Sequence, residues 1–99
     1  MDKKINKELV DLLGECRPLF VAETVGDYLT ESGRERNRRL LQELDACIAA
    51  GAPTDDIVCE AVCLADFAGG TPKGRGRYNR LRAAAEEAFP ETFKVKARR

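Results

Sequence analysis

The sequence predicts an all-α fold: a single compact bundle of about five helices, one domain over residues 1–99. Three observations carry this. Apolar residues recur at three- and four-residue spacing through most of the chain, and no stretch shows the two-residue alternation of a half-buried strand. The breaks between apolar runs carry cap and stop residues: Ser32, Gly51, Thr54, Gly69-Gly70 and Pro90. Ninety-nine residues is also enough chain to bury roughly two thirds of its unfolded surface around one core.

Residues 3–16 place Ile5, Leu9, Leu12, Leu13 and Cys16 on one helical face, with Gly14 weakening the last turn. Pro18 suits a first helical turn, so a second helix is expected over 18–31, lined by Val21, Val25, Tyr28 and Leu29. Ser32 and Glu35 fit a capping box for a third helix over 33–50, which carries Leu40, Leu41, Leu44, Cys47 and Ile48 before Gly51 stops it. Thr54 is the expected N-cap of a fourth, with Asp55 and Asp56 complementing its dipole. Ile57, Ala61, Leu64, Ala65 and Ala68 form its main stripe, and Val58, Val62, Cys59, Cys63 and Phe67 make it apolar nearly all round. Such a helix is expected at the centre of the bundle, with a further helix or a second copy of the chain over its cysteines, so a homodimer is open. Residues 76–89 form the fifth, burying Tyr78, Leu81, Ala85, Ala88 and Phe89 up to Pro90, and 91–99 are expected to be a frayed tail. Leu44 and Leu64 are the expected central core positions.

Composition narrows the chemistry. The chain has no His, no Trp and one Ser, Ser32, which excludes His-dependent triads and Cys-His zinc sites. Cys16, Cys47, Cys59 and Cys63 all fall at apolar helical positions, and Cys59 and Cys63 lack Cys-x-x-Cys spacing, so reduced, metal-free thiols are expected. Asp55-Asp56 and Glu86-Glu87 point in different directions on a helix and make no acid–base pair. No enzyme activity, cofactor or metal is expected. Uncharged apolar runs such as residues 18–22 are far too short for a bilayer, and no apolar segment follows Met1-Asp2-Lys3-Lys4. The expected location is cytoplasmic, with no membrane contact.

Charge gives the functional signal. The net charge is zero, yet residues 1–66 hold eight Lys or Arg against fourteen Asp or Glu, and residues 67–99 hold nine against three. The stretch GGTPKGRGRYNRLR, residues 69–82, carries five positive charges and no negative one. Basic residues at a helix start oppose the dipole by about 0.3–1 kcal/mol each when exposed. The helix over 33–50 nevertheless opens with Arg34, Arg36, Arg38 and Arg39, and the helix over 76–89 with Arg75, Arg77, Arg80 and Arg82, preceded by Lys73. Only Glu35 with Arg39 and Arg82 with Glu86 stand at spacings that relieve this locally. In a bundle with short connections these two helices run parallel and begin at one end, so the nine basic residues are the candidate partner-binding set, an anion-docking pole.

Narrower motifs fall short. Residues 69–76 lack the Gly-Lys-Ser/Thr ending of a phosphate-binding loop. Residues 72–77 are similar to the AT-hook core Arg-Gly-Arg-Pro, except that Tyr78 stands where the proline would keep the segment extended. A helix-turn-helix would present Lys73, Arg77, Asn79 and Arg80 to DNA, but the connection over 69–75 is longer than the usual tight turn. The glycines there are expected to be flexible punctuation. The expected function is a non-enzymatic binding protein docking through its Arg-rich pole on a protein or nucleoprotein partner. Small single-domain proteins without catalytic groups are of the kind phages and mobile elements use to inhibit or regulate a host complex, anti-CRISPR inhibitors among them. The alternative is a small nucleic-acid-binding regulator contacting phosphates with the same pole.

Overall fold

A computed structural model describes residues 3–26 and 30–97. They form five helices: α1 (Lys3–Ala22), α2 (Glu31–Ala50), α3 (Asp55–Phe67), α4 (Pro72–Ala88) and α5 (Pro90–Ala97). No strand occurs among the described residues. The all-α bundle is as the sequence predicts, but the division of the chain into five helices differs.

The helix expected over 18–31 does not exist as a separate element, because α1 runs on through Pro18 to Ala22. Pro18 deprives the Gly14 carbonyl of its in-helix donor, and both residues lie on the exposed side, where water can take the place of that donor. Phe20 then extends the stripe of Leu9, Leu12, Leu13 and Cys16 by one turn and is buried, whereas Val25 is 68% exposed. Tyr28 and Leu29 lie outside the described residues.

α2 starts at Thr30, two residues before the expected cap. Its hydroxyl accepts a hydrogen bond from the Gly33 N–H at 3.1 Å. The earlier start puts Glu31 in the first turn, where the dipole favours a carboxylate and Arg34 and Arg38 can both reach it. The capping box from Ser32 to Glu35 therefore does not form, and Glu35 turns to Arg38. Gly51, left-handed at φ 65°, closes α2 by donating to the Cys47 and Ile48 carbonyls, a conformation that glycine adopts without a steric cost.

α3 is capped by Thr54, as expected. α4 begins four residues earlier than its periodicity suggests, because Thr71 caps it at 3.0 Å to the Gly74 N–H and Pro72 fills the first helical position. Gly74 is thus no hinge. It lies inside the helix, where a Cβ would run into the Ala68 carbonyl oxygen, so the turn from α3 into α4 closes only on glycine. Pro90 ends α4 and opens α5, and Phe93 is buried beneath it, so the segment expected to fray is helical through Ala97.

Burial centres on α1. Its stripe meets Leu44 and Cys47 of α2, Ile57, Val58, Ala61, Val62 and Ala65 of α3, and Leu81, Ala84 and Ala85 of α4 in one core. Each large side chain so buried contributes about 1.5–3 kcal/mol of transfer free energy. The expectation that α3 is central fails: Cys63 is exposed and Phe67 is 90% exposed, and α1 packs against α2, α3 and α4. Leu64 is only partly buried.

Tertiary contacts fix the directions. Asn6 donates to the Gly51 carbonyl, Arg17 pairs with Asp45, and Asn37 donates to the Glu23 carbonyl, so α2 runs antiparallel to α1. Arg80 reaches Glu15, and Lys4, Ile5 and Glu8 share a cleft with Glu87, so α4 also runs antiparallel to α1. α2 and α4 therefore start at the same end of the bundle, where α1 and α3 finish.

The packing separates three substitutions. Leu44→Ala should cost about 2–5 kcal/mol, as for a fully buried leucine. Gly76→Ala, at a helical position with open space around it, should stabilise by about 0.5–1 kcal/mol. Gly74→Ala should destabilise by about 1–3 kcal/mol through the clash with Ala68. Denaturant melts of the three variants check the signs.

Candidate functional site

The basic residues divide by what they touch. At the start of α2, Arg34 pairs with Glu31 at 3.0 Å and points its other Nη at the Gly26 carbonyl. Arg38 pairs with Glu35 at 2.7 Å and with Glu31 at 3.4 Å, and Arg36 crosses to Glu60 of α3 at 3.5 Å. At the start of α4, Arg75 pairs with Asp66 at 3.3 Å and lies 4.6 Å from the Tyr78 ring centroid. Arg39 and Lys73 are exposed and form no ion pair among the described residues.

The remaining three turn elsewhere. Arg80 grips Glu15 with both terminal nitrogens at 3.3 Å. Arg77 is half-buried near Cys16, its Nε shielded from water with no hydrogen-bond partner among the described residues. Arg82 lies further along α4, bonded to Glu86 at 3.1 Å and to the Tyr78 hydroxyl at 3.2 Å, and it faces the Phe93 ring of α5. The geometry thus gathers Arg34, Arg36, Arg38, Arg39, Lys73 and Arg75 at the end where α2 and α4 begin. It leads Arg77 and Arg80 back along α1 and sets Arg82 to hold α5.

This arrangement explains part of the unfavourable placement. The same end holds the C-termini of α1 and α3, whose partial negative charge attracts cations. Arg34 and Asn37 donate to carbonyls just past α1, and Arg75 lies against Gly69 just past α3. These arginines offend the dipole of their own helix and complement that of its neighbour. Sequence spacing could not show this, because the complementary partner is on another helix.

Residues 72–77 are helical, so the extended conformation of an AT-hook is not available to them. Clefts among the described residues are shallow. One, of about 420 Å³ between Asn6, Lys7, Val10 and Gly51, holds no nucleophile beside a base. Asp55 accepts hydrogen bonds from Thr92 at 2.7 Å and from Cys59 at 3.5 Å, a link that ties α5 to the start of α3. No cluster of three or more Cys, Asp and Glu suited to a metal ion occurs among the described residues, and none of their helices is long and apolar enough to cross a membrane. Comparison with protein-family models, with curated proteins and with solved structures finds no match.

The four thiols are unpaired and differ in setting. Burial pushes the Cys16 thiol up to about 11, and burial and then the Asp55 carboxylate raise Cys59. Cys63, expected to be buried, is exposed, because α5 covers α3 only as far as a groove lined by Cys59, Val62, Cys63 and Phe93. Since the thiolate is the nucleophile, a maleimide at neutral pH should label Cys63 first and Cys59 slowly, and should reach Cys16 and Cys47 only on unfolding. Peptide mapping by mass spectrometry checks the order.

Hydrogen bonding by Arg34, then its charge, with Arg38 adding to both, holds Glu31 below the usual carboxylate range. The hydrogen bond from Arg17 does the same for Asp45. A carboxylate depressed in the folded state contributes its stabilisation in full above its unfolded pKa, about 4, and loses it as pH falls through the lower folded value. Melting temperature should therefore hold level from neutrality to about pH 5 and fall below pH 4. Glu31→Gln and Asp45→Asn should each make that fall shallower; equal acid slopes in parent and variants would contradict the assignment.

Proposed function

We propose that this protein is a non-enzymatic binding protein that docks on a protein or nucleoprotein partner through the basic end at which α2 and α4 begin. The observation that carries this is the shared end itself, where Arg39 and Lys73 are exposed and form no ion pair among the described residues, beside the half-exposed Arg36 and Arg75. An exposed guanidinium with one carboxylate partner keeps donors for a second acceptor, and such surface pairs exchange at little cost. Glu31, Glu35, Glu60 and Asp66 are interleaved among the cations. That mixture lowers the positive potential a polyanion needs and suits a protein surface of alternating charge. Inhibition or regulation of a host complex, of the anti-CRISPR kind, is a use consistent with a small docking protein without catalytic groups.

The test uses Arg39→Glu with Lys73→Glu, which disturbs no ion pair among the described residues and should leave stability within about 0.5 kcal/mol of the parent. Affinity capture from the native host should retain a discrete set of proteins with the parent and lose them with the double variant; identical sets would refute the docking end. A labelled mixed-sequence duplex, titrated in parallel, separates the other class of partner. Binding through about four phosphates would weaken roughly a hundredfold between 50 and 200 mM salt. Tight duplex binding with that slope, lost in the double variant, would assign the same end to nucleic acid instead.

A further inference from the structure

The outer face of α3, opposite its core stripe, carries Asp56, Cys63 and Phe67 in line, with Cys59 and Glu60 between them. Asp56 and Cys63 are exposed, and Phe67 is 90% exposed although it is an aromatic side chain on a regular helix. On one flank α2 reaches only to Glu60, through Arg36. On the other, α5 stops at the groove beside Cys59 and Cys63. Phe67 is also firmly mounted, because the turn that follows it is closed by the Gly74 contact with Ala68.

We propose that a second copy of this chain covers this face, the two α3 helices packing antiparallel about a two-fold axis at Cys63. Register and charge both favour this occupant. With Cys63 on the axis, position 67 of one copy lies opposite position 59 of the other. Phe67 then enters the space bounded by Asp56, Cys59, Glu60 and Cys63, the four-residue hole that a helix offers to a knob. Symmetry repeats the contact, so one exposed aromatic residue supplies two anchors.

The charges at the two ends of the face are opposite. The carboxylate of Asp56 at the start of α3 and the ammonium of Lys73 just past its end are both exposed and form no ion pair among the described residues. Antiparallel pairing brings the Lys73 end of each copy to the Asp56 end of the other, whereas parallel pairing sets like beside like. A net charge of zero adds no overall repulsion. The inference shares Lys73 with the proposed docking end, and its test leaves every Arg and Lys in place, so failure of one reading is distinguishable from failure of the other.

Sedimentation equilibrium of the reduced chain at high micromolar concentration should show a monomer–dimer equilibrium. Phe67→Asp should raise the dissociation constant about tenfold or more while leaving the melting temperature unchanged. Should that variant melt early, Phe67→Ala carries the same comparison. A short bis-maleimide should join two parent chains through Cys63, and Cys63→Ser should abolish that product while retaining the dimer. A monomer at every concentration, a dimer indifferent to both Phe67 substitutions, or a dimer that no reagent joins at Cys63 would each overturn the proposal.

Discussion

Everything in this bundle depends on burying one face of α1. Leu9, Leu12, Leu13, Cys16 and Phe20 make a continuous apolar stripe along about three turns, and no single neighbouring helix is wide enough to cover it. α2, α3 and α4 all pack on α1. Short connections make α2, α3 and α4 alternate in direction, so α2 and α4 oppose α1 while α3 runs with it. The hydrogen bonds from Asn6 to Gly51 and from Asn37 to Glu23 record this alignment at either end of the α1–α2 pair. The common end for the arginine-rich helix starts is thus a by-product of covering α1.

That by-product settles an electrostatic conflict. Four arginines in the opening turns of α2 would oppose its dipole if the helix stood alone. In the bundle, the ends of α1 and α3 lie beside them, and Glu31 and Glu35 of α2 and Glu60 of α3 supply partners. Two ion pairs, Arg75 with Asp66 and Arg80 with Glu15, join the acidic and basic blocks of the sequence, and the other pairs among the described residues lie within one block. Arg39 and Lys73 at the docking end and Asp56 on the outer face of α3 are exposed and form no ion pair among the described residues.

Legibility varied with the kind of signal. The cap of α3 and the stop of α2 could be read directly, because Thr54 followed by two aspartates and Gly51 after an apolar stripe each have one local explanation. Pro18 misled because proline at a helix start and proline inside an exposed helix look the same in sequence, and burial of Phe20 favours continuing α1. Thr71-Pro72 was a legible start for α4, a cap followed by a proline at the first position, but the glycines after it suggested a loop. Phe93 gave no usable signal, since a lone aromatic in a basic tail has no periodicity to place it.

By itself, then, the sequence determined the all-α class, most of the apolar stripes and the concentration of basic residues in two segments, since each follows from spacing and composition within a single element. Tertiary structure decided which helix is central, because α3 is apolar on nearly every side and only the competition to cover α1 selects the face that is buried. It also decided which cations are already partnered. Arg36, Arg75 and Arg80 find carboxylates twenty-four, nine and sixty-five residues away along the chain, and Arg39 and Lys73 find none among the described residues. Charge pairing across helices depends on the directions in which they pack, and those directions are fixed only when the core closes.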